Sequence, residues 1–566
     1  MHSTHFICII VAALIFTVYL FSLCPTVYLI DSGELAAVSY TLGIAHPTGY
    51  PLYTIISYFF AHLPGEPIRN LNMLSALFTL SAAIFLYFMA KKILKNTVLP
   101  ILCVALFTFS PTIWRISVTN EVYPLTALLG IIIIYALQRL HDMRGFYVIM
   151  YLIGLAFANH IIIFSLAIPV FFYVILTYKP PFKSILIGML FAVLGTSIYL
   201  YLITRTIGGA ELAWGNANNF QRLIWHVTGK QYQVWMFSLS AKEIFDNLMN
   251  GLAFLLRDFI FVFIAPVLIG FYYLFRKKRK IFWLFLSIFL LNLFYAINYS
   301  IPDIESYYIP GLISLVVILI YGLKATVKYL KWYIVIPIAI VIPVVNYQSS
   351  TLRDNSFALD FSRSHIEQLP QKSLIICTFW DIYSPTIYMR NVKDFRNDLV
   401  IIDKELLRRT WYIKYVKNEY PEFYQMVSEA IESYLVELYK FEYDKPYNRQ
   451  VIQSRFIKML ERFVETKIHD GVFFATPFPD NDMNQVKPHY KRIPRGLVFE
   501  IEEDTTDVAP FDFSKLSISR PQVMNDRRLK FNVEIVKNAL NNNYLYLRTT
   551  RQFIKAEQAR NWLKNF

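Results

Sequence analysis

Two carboxylates, Asp31 and Glu34, stand in Asp31-Ser32-Gly33-Glu34, directly after an apolar run over residues 6–30. His46 follows within His46-Pro47-Thr48-Gly49-Tyr50-Pro51, and Arg69 precedes Asn70-Leu71-Asn72. Charge is expensive to desolvate at the mouth of a membrane bundle, so ionisable residues placed where an apolar run emerges into water are functional candidates by default. The chemistry open to such a carboxylate, set beside a hydroxyl, is removal of its proton. A structural reading competes with this one: Asp at an N-cap with Glu three residues later approximates a capping box, here opening a helix over 34–42. One residue can do both jobs. His46 has the same two readings, since prolines bracketing a glycine fix a bend whatever else the turn does.

The elements that must position these residues are membrane spans. The 566 residues are 56% hydrophobic and 17% aromatic but only 17% charged, too apolar for an ordinary soluble enzyme of this size. Residues 1–348 are dominated by long apolar runs, while 349–566 read as a soluble domain. The net charge of +15 does not point to nucleic acid, because many of the cations sit in short clusters beside apolar runs, as span flanks do. Among the four cysteines, Cys8, Cys24 and Cys103 fall in apolar runs and Cys377 stands alone in the tail, so neither a disulfide framework nor a metal-ligand spacing is visible. No Lys or Arg precedes the first apolar run and no small-residue cleavage site follows it, so an uncleaved first span is expected.

With about 20 apolar residues needed per span, eleven are expected, over 6–28, 71–90, 98–113, 124–140, 146–158, 161–178, 184–204, 251–275, 281–298, 309–323 and 332–345. The stretch 146–178 would be about 50 Å of helix, too long for a core of ~30 Å. A pair of short helices turning at Asn159-His160 is therefore expected. Basic clusters at 91–95, 139–144, 179–183, 276–280 and 324–331 fall on one side of this count, which the positive-inside rule makes the cytoplasm. The first loop, residues 115–123, Asn159-His160, the loop over 205–250, residues 298–308 and the whole tail fall on the other. Residues 52–63 are apolar enough to lie in the interface. In the tail, 373–377 and 398–403 read as short buried strands, and 421–441 and 448–467 have helical spacing.

Asp31-x-Gly33-Glu34, His46-Pro47-x-Gly49-Tyr50-Pro51-Leu52 and Arg69-Asn70-Leu71-Asn72-x-Leu74-Ser75-Ala76, in this order, resemble the membrane glycosyltransferases of the GT-C superfamily. The resemblance is to the group of the transmembrane O-mannosyltransferase of animals and its bacterial relatives. It is dense over 31–80 and thinner afterwards, where Thr119-Asn120-Glu121-Val122-Tyr123, Asn159-His160, Asp303 with Tyr307-Tyr308-Ile309-Pro310, and Trp380-Asp381 through Tyr388 add to it. It implies a polytopic α-helical GT-C-like fold of about eleven spans with an extracytoplasmic α/β or helix-rich C-terminal domain. It also implies an inverting enzyme that moves a sugar, mannose by resemblance, from a polyprenyl-phosphate carrier to a protein hydroxyl or other envelope acceptor. Asp31 and Glu34 are then the catalytic candidates. His46, Tyr50, Glu121, His160 and Asp303 are candidates for donor or acceptor binding, and Arg69, Arg115, Arg205, His226 and Lys230 are cations available to a phosphate leaving group. No resident cofactor is implied, and a divalent cation stays open. The lone tail cysteine and the lack of a retrieval signal favour a bacterial inner membrane, with the N-terminus cytoplasmic.

A transporter or lipid flippase would also show many spans and buried polar groups, but here the polar motifs gather on one side and no repeated halves appear. An inactive scaffold is a further alternative. The topology makes a direct prediction. Single cysteines placed near residues 45, 220, 303 and 400 should react with an impermeant thiol reagent from outside, whereas one at 276–280 should not. Labelling of the tail from the cytoplasm would refute the eleven-span arrangement.

Overall fold

The computed structural model describes residues 2–566 apart from 260–262, 328, 330, 487–489, 503–510 and 522–525. The chain forms two compact units. One takes in Met1–Pro25, Ile44–Gly208 and Ala217–Arg353, and the other Thr26–Gly43, Gly209–Asn216 and Asp354–Phe566. A boundary at 348/349 is what hydropathy alone suggests, yet two short upstream segments also fold with the tail. Their backbone donors are satisfied there: Ile30 N–H by Asp381 and Glu34 N–H by Ser384.

The first unit is helical. Among the described residues seven helices are long and apolar enough to cross a membrane, namely His5–Ser22, Pro67–Leu94, Ile161–Tyr178, Phe182–Ile207, Arg279–Ile297, Ile304–Thr326 and Tyr333–Ser350. The pair Leu99–Thr108 and Pro111–Ser117, bent by 67°, makes an eighth if it counts as one span. The bend falls where Pro111 enters the helix and Ser110 before it is extended. Tyr123–Gln138 and Met143–Phe157 occupy the expected spans at 124–140 and 146–158. Each rises only about 24 Å, short of a ~30 Å hydrocarbon core. The expected span at 251–275 falls on Ala241–Asp258 and Ile264–Lys277, with 260–262 outside the described residues, as are 328 and 330 of the expected basic cluster at 324–331.

Burial separates inner from outer helices. The apolar window of Ile304–Thr326 is 83% buried and that of Pro67–Leu94 61%, against 22% for His5–Ser22, so the first two form the centre of the unit and the last faces outward. Met143–Phe157 and Phe182–Thr196 approach closely because glycines face each other: a Cβ on Gly195 would stand 2.5 Å from the Tyr151 carbonyl. Near Asn159-His160 the chain does break between helices. Asn159 Nδ2 donates to the Val122 carbonyl at 3.1 Å and to Thr126 Oγ1 at 2.8 Å, tying this break to the start of Tyr123–Gln138.

The second unit is built on a five-stranded mixed sheet in the order β2-β1-β3-β5-β4, with β1 Leu374–Cys377, β2 Val400–Asp403, β3 Val472–Ala475, β4 Lys491–Arg495 and β5 Val498–Glu502. The first three run parallel and every residue in them is buried, which explains why they are apolar throughout except for Asp403 at the end of β2. Their register pairs Leu374 with Val400 and with Val472. β5 turns antiparallel to β3 and pairs with β4. Pro421–Glu442 and Arg449–Lys467 are the helices that the spacing at 421–441 and 448–467 announces.

Trp380–Lys393 follows β1 and receives the helix Ser32–Thr41. The two backbones touch at Gly33, where a Cβ would stand 2.5 Å from the Ser384 carbonyl oxygen. Asp381, fully buried, accepts from Ile30 N at 2.9 Å, from Arg528 Nε at 2.6 Å and from Asn532 Nδ2 at 2.8 Å. Asp381→Ala removes the buried acceptor that those three donors share. We expect it to destabilise the second unit by about 3–5 kcal/mol in a denaturant titration, the usual cost of breaking a buried ion pair from one side. Asp381→Asn, which keeps an acceptor for Ile30, should lose less.

Candidate functional site

In the first unit, the turn from His46 to Tyr50 is folded onto itself. The Tyr50 hydroxyl lies 2.9 Å from His46 Nε2 and 3.2 Å from the Pro47 carbonyl, which accepts from it. Gly49 takes φ +89, and any side chain there would collide with the ring of His226. Tyr50 stacks on His160, with ring centres 5.5 Å apart and planes 11° from parallel. His160 in turn lies 5.1 Å from Tyr123 and 5.4 Å from Tyr307. The Tyr123 hydroxyl donates to Asp303 Oδ2 at 3.0 Å. The structure therefore gathers His46, Tyr50, His160 and Asp303 into one aromatic-lined set. Four stretches far apart in the chain contribute to it.

His226 joins this set through the backbone. Its Nε2 lies 3.0 Å from the Ala45 carbonyl, an acceptor, so that nitrogen carries the proton. Burial pushes its pKa down to about 3 from 6.5, with the Ala45 contact opposing and His46 adding to the shift. His226 is thus neutral at ordinary pH. It braces the turn rather than supplying a charge to a phosphate, which narrows the cations expected from sequence to Arg69, Arg115, Arg205 and Lys230. Arg69 is exposed on the first turn of Pro67–Leu94. Arg115 is half-buried on Pro111–Ser117 and lies near Arg257. Arg205 contacts the Tyr201 hydroxyl, and Lys230 Nζ sits 3.9 Å over the ring of Trp225. Glu121 is half-buried, with its N–H donated to Ser75 Oγ at 3.3 Å.

Asp31 and Glu34 belong to the second unit. The capping-box reading does not describe them, because Asp31 sits at the N-cap of Ser32–Thr41 without a side-chain cap bond. Its Oδ1 instead accepts from Trp380 Nε1 at 2.8 Å. Glu34 is buried, and its N–H donates to Ser384 Oγ at 3.0 Å. Around Trp380 lies an aromatic cluster: Trp214 edge-on at 5.7 Å, Tyr383 at 5.9 Å, and Trp411 4.4 Å from Trp214.

Sequence reasoning quoted Tyr123, Tyr307 and Trp380-Asp381 as motifs but assigned them no place in a site. Their signal was the run of aromatic and acidic residues in otherwise apolar or ordinary text. A cluster in the first unit was missed: Arg257 Nη2 donates to Thr112 Oγ1 at 2.9 Å, to Asp258 Oδ1 at 3.3 Å and to Glu305 Oε2 at 2.9 Å. Adjacent Arg257-Asp258 inside an expected span was the available clue.

The fold is similar to that of a solved membrane-protein structure. The solved structure of ArnT from Cupriavidus metallidurans bound to undecaprenyl phosphate superposes with a TM-score of 0.53 over 89% of this chain and 99% of that one, at 11% identity. Residues 31–184 match the model of the Protein O-mannosyl-transferase TMEM260 N-terminal domain, a match that begins at Asp31. Protein O-mannosyl-transferase TMEM260 of Mus musculus is 24% identical over 434 residues, covering 69% of this chain and 61% of the relative. Its counterpart in Dictyostelium discoideum is 22% identical over 452 residues, covering 68% and 55%. The chain thus spans about three-fifths of the length of these curated relatives. Over part of its length the chain is thus similar to these O-mannosyl-transferases, and its described residues include helices long and apolar enough to cross a membrane.

The neutral His226 gives a pH prediction. Its folded pKa lies below the unfolded one, so the unfolded chain takes up a proton that the folded chain refuses, and stability falls as pH drops from 6.5 toward 3. His226→Gln, which still offers a donor to Ala45, removes this term. Between pH 6 and 4.5 the wild type should lose stability faster than the variant by about 1.4 kcal/mol per pH unit. Parallel curves from thermal unfolding in detergent would show that His226 is not held neutral.

Proposed function

We propose that this chain is a glycosyltransferase that moves a sugar from a polyprenyl-phosphate carrier to a protein hydroxyl or other envelope acceptor on the extracytoplasmic face. Mannose is the sugar that the names of the curated relatives support. The observation that carries the reading is the family match opening at Asp31, the residue whose carboxylate accepts from the Trp380 indole N–H.

In this reading the acceptor hydroxyl attacks the anomeric carbon while Asp31 takes its proton, and the carbon–oxygen bond to the carrier phosphate breaks with inversion. The bonding pair leaves on the phosphate, where a cation among Arg69, Arg115, Arg205 and Lys230 offsets the charge. Glu34 is the second carboxylate candidate. The His46, Tyr50 and His160 set, with Asp303 behind Tyr123, serves substrate binding.

Asp31→Asn tests this directly. Asn keeps an oxygen for the Trp380 N–H and remains a good N-cap, so the protein should fold and insert. A residue that only shapes the turn should then lose little, whereas a general base should lose roughly 10²- to 10⁴-fold in rate. Transfer is read by incubating purified protein with polyprenyl-phosphate sugars and an envelope protein fraction, followed by mass spectrometry. Glu34→Gln is the companion. Near-normal transfer by both variants would remove carboxylate catalysis from this turn.

A further inference from the structure

Four contacts from the start of Trp380–Lys393 hold the turn that carries Asp31. At its head, Ile30 N–H donates to Asp381, which is sealed from water and also binds Arg528 and Asn532. At its foot, Glu34 N–H donates to Ser384 Oγ. Between them Gly33 lies against the backbone of Ser384 and Pro385. The fourth contact reaches the functional group itself, Trp380 Nε1–H to Asp31 Oδ1 at 2.8 Å. Ile30 has φ +63, a left-handed conformation that a β-branched side chain resists, and such conformations persist only where surrounding structure imposes them. The clamp is what imposes it here. The indole is itself supported, packed on Trp214 and Tyr383.

We propose that Trp380 is a positioning residue for Asp31, its Nε1–H fixing the carboxylate's orientation and favouring its ionised form, with Asp381 and Ser384 setting the backbone beneath. This rests on the reading of Asp31 as proton acceptor. The second unit is then part of the catalytic apparatus rather than an appendage to it. The charged groups that the same unit brings to the turn are Glu34, on the turn itself, and the Asp381–Arg528 pair at its head.

The test is Trp380→Phe in the full-length protein, which keeps an aromatic ring and removes the donor. A hydrogen bond to the charged form favours that form, so its loss should move the acid limb of the kcat/KM profile to higher pH by about one unit, while the lost orientation of the carboxylate lowers the plateau rate above that limb. A merely structural role would lower the rate without moving the limb, and an unmoved limb overturns the proposal. Trp380→His retains a ring N–H and should keep the limb near that of the wild type.

A second readout needs no activity. Protonation of Asp31 should perturb the emission of the indole bonded to it, so wild-type tryptophan fluorescence should contain a pH-dependent component that Asp31→Asn lacks. Persistence of that component in Asp31→Asn overturns the pairing. If no polyprenyl-phosphate sugar supports transfer by the wild type, the functional reading fails, while the fluorescence comparison still decides whether Trp380 governs Asp31.

Discussion

Asp381 is fully buried with both carboxylate oxygens engaged, one by the Ile30 N–H and the other by Arg528 and Asn532. A buried carboxylate is tolerated only when its charge is compensated and its lone pairs are filled. Here the partners come from two separate places in the chain, the turn at Ile30, 351 residues away, and the helix that carries both Arg528 and Asn532. That arrangement converts a cost of desolvation into a geometric constraint. Residues 26–43 follow the first span in sequence, yet they fold with the tail because their backbone donors are satisfied there. The turn bearing Asp31 and Glu34 inherits its shape from the same constraint.

The first unit meets the same problem with different means. Its polar groups sit among apolar helices, and aromatic rings rather than ion pairs enclose them. His160 lies between Tyr50, Tyr123 and Tyr307, and His226 is braced against the Ala45 carbonyl. Burial keeps His226 neutral, which suits a group that must hold a backbone turn without adding charge to a water-poor region. Where charge is retained it is compensated locally, as in the Arg257, Asp258 and Glu305 cluster. Histidines, tyrosines and one carboxylate reached by a tyrosine hydroxyl thus come together from four stretches of the first unit.

Much of the architecture was legible in the amino-acid order because it rests on local physics. Apolar runs of span length, the largely apolar strands at β1 and β2, and the helical spacing in Pro421–Glu442 and Arg449–Lys467 each report their own burial. The break at Asn159-His160 followed from a length argument, since 33 continuous helical residues would overrun the bilayer. The family resemblance over residues 31–80 singled out the acidic turn and the histidine turn, and His46, Tyr50, His160, His226 and Asp303 meet in one set.

Tertiary structure alone decided what those residues touch. A capping box and a carboxylate held by an indole have the same local sequence, and the choice between them at Asp31 depends on Trp380, 349 residues away. The allegiance of residues 26–43 could not be read from hydropathy, because hydropathy reports how apolar a segment is and not which partner satisfies its N–H groups. His226 likewise reads as an available cation in sequence and is neutral in the fold, since its pKa is set by burial among neighbours that no local pattern encodes. The sequence by itself determined the membrane helices, the buried strands and the identity of the chemical groups, all of which depend on near neighbours. Orientation, protonation and pairing of those groups depend on contacts across hundreds of residues, and only the folded chain supplies them.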